Sequence, residues 1–271
     1  MMEFHSLRER RAWFHGLSGE EKFAAFQEMI DQSQHIVFFG GAGVSTESGI
    51  PDFRSKDGLY NKPDVQFQAY EPEYLLSHEC LFDEPKVFFE FYRQKLDVRG
   101  IEPNTAHYKL AELERAGKLS AIVTQNIDGL HEKAGSKRVY NIHGTTFRNY
   151  CTGHAHHELP ADFIVESKEA VPHCPICGRM VRPDVTLYGE SLPERAVDGA
   201  VRAISEADML IIAGTSLTVY PAASFVRYFG GENLVIINRD ETPMDSEADL
   251  VFHESIGKVL GRIQVAKHDL G

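Results

Sequence analysis

The chain is poor in cysteine, poor in positive charge and without a long apolar run. Four cysteines among 271 residues are too few for a disulfide framework, which excludes the small stapled secreted scaffolds. Lys and Arg number 28 against 40 Asp and Glu, a formal net charge of −12. That balance disfavours direct nucleic-acid binding, which depends on a basic surface that displaces counter-ions. It is compatible with lysine-rich protein substrates, although solubility alone accounts for it. No stretch approaches the roughly 20 apolar residues of a membrane span, so no membrane partner is expected. Met1–Arg11 is polar and charged and carries no apolar h-region, so no signal peptide is expected and the chain reads as cytoplasmic. No internal repeat or low-complexity linker breaks it up.

What is present is a core. Hydrophobic residues make up 42% and charged residues 25%, ordinary values for a globular domain. Apolar runs recur at His35–Phe39, Ala121–Thr124, Val139–Ile142, Met209–Ala213, Leu234–Asn238 and Leu250–Phe252. Each is short and rich in β-branched or aromatic residues, the pattern of a buried parallel strand. Helical stretches lie between several of them, at Thr105–Ala116, Glu194–Glu206 and Ala222–Tyr228, and Ser18-Gly19-Glu20-Glu21 reads as a capping box ahead of an amphipathic helix. The alternation predicts an α/β fold, a Rossmann-like doubly wound parallel sheet. Two stretches depart from it: an aromatic, helical one after Phe53 and a cysteine-bearing one from Tyr150 to Arg182. The expected division is a sheet domain from residues 18–52, 101–148 and 183–265, and a smaller inserted domain from a helical module (53–100) and a metal-binding module (149–182).

Functional groups of an open α/β sheet gather beyond the carboxyl ends of its strands. The first strand runs into Gly40-Gly41-Ala42-Gly43-Val44-Ser45-Thr46, a turn that lets backbone approach a diphosphate. Pro51-Asp52-Phe53-Arg54 follows, with more chemistry than phosphate binding needs. The later strands end at Gln125-Asn126-Ile127-Asp128, at His143-Gly144, at Gly214-Thr215-Ser216 and at Asn238. Repetition of polar residues in one relation to their strands points to a ribose- and phosphate-rich ligand. Gly214-Thr215-Ser216 suits phosphate, and Asn238 suits ribose or adenine. His143 is the natural general acid/base, because an imidazole titrates near neutrality; His107 and His131 are weaker rivals.

Cys151-x-x-His154 and Cys174-x-x-Cys177 form two tight pairs with the spacing of a structural zinc ribbon, a Cys3His set that closes the coordination shell. His156, His157 and His173 compete with His154 for the fourth position. Cys80 stands apart and reads as a buried hydrophobe.

Together these residues resemble the sirtuin family of NAD-dependent protein lysine deacylases, in its bacterial form. The matching pieces run in order from about residue 35 to residue 256: Gly41-Ala42-Gly43-Val44-Ser45, Ile50-Pro51-Asp52-Phe53-Arg54, Thr124-Gln125-Asn126-Ile127-Asp128, His143-Gly144, the metal pairs, Arg182-Pro183-Asp184-Val185, Gly214-Thr215-Ser216 and Asn238. The resemblance implies NAD as co-substrate, structural zinc, and acyl-lysine-bearing proteins as partners, with acyl group and NAD entering a cleft between the two domains. Gly41, Ala42, Gly43, Thr46, Gly214, Thr215, Ser216, Asn238 and the backbone near Ile256 would hold ADP-ribose. Asp52, Phe53 and Arg54 would cover NAD, and Gln125, Asn126, Ile127 and Asp128 would line the nicotinamide pocket. His143, with Asn126 beside it, would serve catalysis. Two departures stand out. His154 occupies a position usually held by cysteine. Tyr92-x-x-Lys95 has lysine where relatives that prefer acidic acyl groups carry arginine, and so loses the planar fork, which favours acetyl or other uncharged acyl groups.

Three other readings compete. A hydride-transferring dehydrogenase lacks support, because the loop has Thr46 where the usual fingerprint has a third glycine. A protein mono-ADP-ribosyltransferase keeps the fold and changes the acceptor; retention of His143 favours deacylation. A non-catalytic binding module does not need so complete a set of strand-end polar residues.

Overall fold

The computed structural model describes residues 4–53, 58–59 and 65–265; Arg54, expected on the cofactor loop, lies outside them. Two helices come first, α1 (Leu7–His15) and α2 (Gly19–Gln32). The sequence pattern does not signal α1, whose first turns are a run of charged residues, Arg8-Glu9-Arg10-Arg11. It forms because Ser6 Oγ accepts the Glu9 N–H at 3.1 Å and because Phe14 is drawn into the core. α2 starts at the expected capping box, closed by the Ser18 N–H donating to Glu21 Oε2 at 2.8 Å. It buries Phe23, Phe26, Met29 and Ile30 along one face.

The chain then runs through β1 (Ile36–Gly40), α3 (His78–Asp83), α4 (Pro85–Lys95), α5 (Thr105–Arg115), β2 (Leu119–Thr124), α6 (Leu130–Lys133) and β3 (Val139–Asn141). Next come β4 (Gly144–Cys151), β5 (Glu158–Leu159), α7 (Phe163–Glu166), β6 (Val181–Val185), α8 (Glu194–Glu206) and β7 (Met209–Ala213). A 3-10 helix over Ala222–Tyr228, β8 (Asn233–Ile237), β9 (Leu250–Phe252) and α9 (Ile256–Gly261) complete it.

Six strands form one sheet in the order β3-β2-β1-β7-β8-β9, and every neighbouring pair is parallel. The chain builds outward from β1 to β3, then returns to the other side of β1 and builds outward again. The order reverses between β1 and β7, which opens a crevice beyond their carboxyl ends. Both faces are covered, and alternate residues of one strand serve opposite cores. Ile36 and Phe38 pack with α2, α5 and α9; Val37 and Phe39 pack with α8 and the 222–228 turn. All four are fully buried, and each such side chain contributes about 1.5–3 kcal/mol.

A second sheet, β5-β4-β6, is antiparallel. It shares a core with α3 and α4, in which Leu81, Phe88 and Phe89 meet Cys151, Cys174 and Val181. Arg93 ties the two parts further: its Nε donates to the Ile164 carbonyl at 2.9 Å and its Nη2 to the Glu169 carbonyl at 2.8 Å. Among the described residues no helix is long and apolar enough to cross a membrane.

Candidate active site

At the switch point the turns after β1 and β7 touch backbone to backbone. The Gly43 N–H donates to the Gly214 carbonyl at 2.9 Å and the Gly41 N–H to the Ala213 carbonyl at 3.1 Å. Gly214 has φ +58°, and a Cβ there would lie 2.5 Å from the Val44 nitrogen; one on Gly43 would lie 2.7 Å from the Gly214 Cα. Only glycine permits this approach. Gln125 joins the same junction from the end of β2, its Nε2 donating to Thr215 Oγ1 at 3.0 Å.

Deeper in, Ser45, Asn126 and Asp128 form a buried chain of hydrogen bonds. The Ser45 hydroxyl donates to Asp128 Oδ2 at 2.6 Å and accepts from Asn126 Nδ2 at 3.1 Å. The Leu130 N–H donates to the other Asp128 oxygen at 3.0 Å. Burial raises the Asp128 carboxyl, and the bonds from Ser45 and Leu130 partly offset it. Ile127 between them is fixed through its carbonyl, which accepts from the Thr146 N–H and hydroxyl, both at 3.0 Å.

His143 stands at the end of β3, with Nδ1 2.9 Å from the Gln125 carbonyl. That contact requires Nδ1 to carry the hydrogen, which leaves the lone pair on Nε2. Burial lowers the imidazole, against a smaller opposing effect of the Gln125 bond. The product is a neutral ring in a fixed tautomer, the form a general base requires.

One cavity of about 500 Å³ collects these groups. Gly41, Ala42, Gly43, Thr46, Asp52, Phe53, Gln125, Asn126, Ile127, Asp128, His143, Gly214, Thr215, Ser216, Asn238 and Ile256 all line it. His107 and His131 do not; they face each other at 4.8 Å between ring centroids, fully buried behind it. Sequence reasoning gave no separate role to Ser45, although its place two residues past Gly43 was a usable signal. It also missed Glu47, whose Oε1 accepts the Gly257 N–H at 2.9 Å and fastens α9 to the loop; no local pattern could reveal that contact. Val185, Thr186, Leu187 and Tyr188 line the far side of the cavity. Their turn is braced by Arg182, whose guanidinium grips both oxygens of Glu190, with Nη2 at 2.8 Å from Oε2.

The metal-site reading needs one correction. Cys151, Cys174 and Cys177 converge as expected, but the fourth group is His157, not His154, and the ligand atoms lie within 4.8 Å of one another. The reason is the β4–β5 hairpin, which pairs Tyr150 with Glu158 and so brings His157 back over Cys151. The Cys151 N–H donates to the His157 carbonyl at 3.0 Å, while His154 is left exposed on the turn. The separations suit a tetrahedral zinc ion. Zn–S of about 2.3 Å and Zn–N of about 2.0–2.1 Å require edges of about 3.8 Å between sulfurs and about 3.6 Å from sulfur to nitrogen. His157 Nδ1 is 3.6 Å from both Cys151 Sγ and Cys174 Sγ, and Cys177 Sγ is 3.6 Å from Cys151 Sγ. Four protein ligands leave no open position, so the site is structural.

Comparison with known proteins places these features in one family. Residues 41–221 match the family model described as the Sir2 family. An NAD-dependent protein deacetylase of Clostridium perfringens is 54% identical over 246 residues, covering 90% of this chain and 99% of that protein. One from Clostridium acetobutylicum is 52% identical over 240 residues, with 89% and 97% covered. Among solved structures, a Sir2 protein with a p53 peptide and NAD+ superposes with a TM-score of 0.76 at 36% identity, over 88% of this chain and 95% of that one. A Sir2 bound to acetylated peptide gives a TM-score of 0.78 at 33% identity, with 89% and 96% covered.

Proposed function

The chain belongs to the Sir2 family, and from that premise we propose that it is an NAD-dependent protein lysine deacetylase that moves the acyl group to ADP-ribose and releases nicotinamide. The observation that carries the reading is His143 held as a neutral base in the cavity that the glycine turns and Asp128 also line. NAD supplies the ribose carbon that accepts the acyl oxygen as nicotinamide departs. The chain's residues do the rest. The turns at Gly41–Gly43 and Gly214–Ser216 present backbone and hydroxyl groups to the diphosphate, and Asn238 and Ile256 complete the ADP-ribose site. Asn126 and Asp128, fixed through Ser45, hold the carboxamide end. His143 Nε2 takes a proton from a ribose hydroxyl, and the Gln125 carbonyl stabilises the ring that has received it. Asp52 and Phe53 cover the reacting centre and exclude water.

The sheet body, 18–52, 101–148 and 183–265, carries NAD in this reading. The module 53–100 supplies the wall that meets the substrate, and 149–182 backs it through their shared core. Leu76, Leu96 and Val98 line the cavity together with Lys95, which suits acetyl and other short uncharged acyl groups. The turn at Val185–Tyr188 offers its edge to the peptide backbone, a mode that tolerates many sequences. The chain's four cysteines form no disulfide, and three of them are committed to the metal site, which suits a reducing, cytoplasmic setting.

The test is incubation with NAD and an acetyl-lysine peptide, read by mass spectrometry. Free lysine peptide with O-acetyl-ADP-ribose, strictly dependent on NAD, is the expected outcome. ADP-ribose attached to protein, with the acetyl group still in place, would overturn it in favour of transferase chemistry. His143→Ala should retain NAD binding and lose about 10²–10⁴ in turnover, the usual worth of a positioned base.

A further inference from the structure

Asn104 lies outside the cavity, yet its side-chain amide is committed to the turn that forms part of the cavity's wall. Its side-chain amide donates to the Val44 carbonyl at 2.8 Å and to Ser48 Oγ at 3.1 Å. Those two residues bracket the 45–47 stretch, which holds Ser45 against Asp128 and Asn126. Its Oδ1 accepts the Ala106 N–H at 2.9 Å and so caps α5. Its own N–H donates to His107 Nδ1 at 3.2 Å. The His107 ring in turn packs on that of His131 at 4.8 Å, and His131 sits on α6 directly after the turn that carries Asp128. Asn104 therefore braces the Ser45 side of the Ser45–Asp128 bond through its amide.

A helix cap alone needs only an acceptor oxygen, which serine, threonine or aspartate supplies equally well. The two donated bonds across to the cofactor loop are an additional feature, and asparagine alone among the good caps can make them. We propose that Asn104 is a positioning residue for the NAD reaction: its amide hydrogens fix the 44–48 turn so that Ser45 meets Asp128 and Asn126 in register. The proposal rests on the reading that this turn holds NAD. Without the amide the turn keeps its own backbone bonds, Val44 to Gly41 and Ser48 to Ser45, but loses its anchor to α5. NAD binding must then order it.

The experiment compares Asn104→Ser and Asn104→Asp with the parent. Both keep the cap acceptor and remove the amide donor, one without added charge and one with it. Both should melt within a few degrees of the parent. In both, KM for NAD should rise by about tenfold, within the range for two lost donated bonds, while KM for the acetyl peptide stays within about twofold. Unchanged KM for NAD in both variants would reduce Asn104 to a helix cap and overturn the proposal. A rise confined to Asn104→Asp would assign the effect to charge and overturn it as well. Failure of the functional reading itself looks different, since the parent would then show no NAD-dependent turnover to compare.

Discussion

At the scale of single residues the cavity works by taking titratable groups away from water and giving each one particular partner. His143 and Glu190 show the two directions this can take. Burial would raise the Glu190 carboxyl, but the Arg182 fork, His78 and the Leu187 N–H outweigh it and hold it at about 2. The Arg182–Glu190 brace therefore stays charged at any working pH. Among the described residues no carboxylate acts on His143 to favour its cation, so burial dominates and lowers it, against a smaller effect of the Gln125 bond. A base must be neutral to accept a proton, and a lowered imidazole remains neutral further into acid. The acid limb of kcat/KM should accordingly have its midpoint below about 6.5, the ordinary imidazole value. A pH profile from about 5 to 8 checks this, provided that folding is monitored over the same range. A midpoint above the ordinary value would mean that the ring is not buried as described, or that another group limits the reaction.

At the scale of elements, the decisive contact is between two turns that are far apart in sequence. Gly214 occupies a left-handed conformation with its Cα against the backbone of Gly43 and Val44. Gly214→Ala should force the turns apart, weaken NAD binding by tenfold or more and cost about 1–3 kcal/mol of stability, the range for overpacking and left-handed strain. Calorimetry with titrated NAD reads both effects; an alanine variant with parental NAD affinity would show that the turns can separate freely. Much of this level was legible from sequence. Met209–Ala213, Leu250–Phe252 and Glu194–Glu206 coincide with β7, β9 and α8, because apolar runs and a helical stripe report burial directly. β1 is displaced by one residue from His35–Phe39, since Gly40 still pairs with Thr124 and Ala213. Ala222–Tyr228 forms a 3-10 helix, not an α-helix. The antiparallel pairing of β4 with β6 was not legible: Phe147 and Arg148 are exposed, so β4 lacks the apolar run that marks the buried strands. The same blindness to the β4–β5 hairpin led to His154 in place of His157, because ligand spacing along a sequence says nothing about which residue a hairpin folds back.

At the scale of the whole molecule, the distribution of cores sets how the parts depend on one another. The large sheet has a core on each face. The third core, shared by α3, α4 and the small sheet, includes Cys151 and Cys174 themselves, so zinc cross-links the core that backs the helical wall of the cavity. The small sheet is short: β5 has two residues, too few to hold that hairpin without the metal. Removal of zinc should therefore melt this part first and leave the six-stranded sheet folded, splitting thermal unfolding into two transitions. Peptide turnover should be lost with the first, while helical and parallel-sheet signal persists to the second. The ligand assignment sharpens the test. His157→Ala should abolish stoichiometric zinc, measured by elemental analysis, and reproduce the early transition without chelator. His154→Ala should retain one zinc per chain and melt as the parent does. The opposite pattern would restore His154 as the ligand, and a single transition in the zinc-free protein would show that the small core and the sheet stand or fall together.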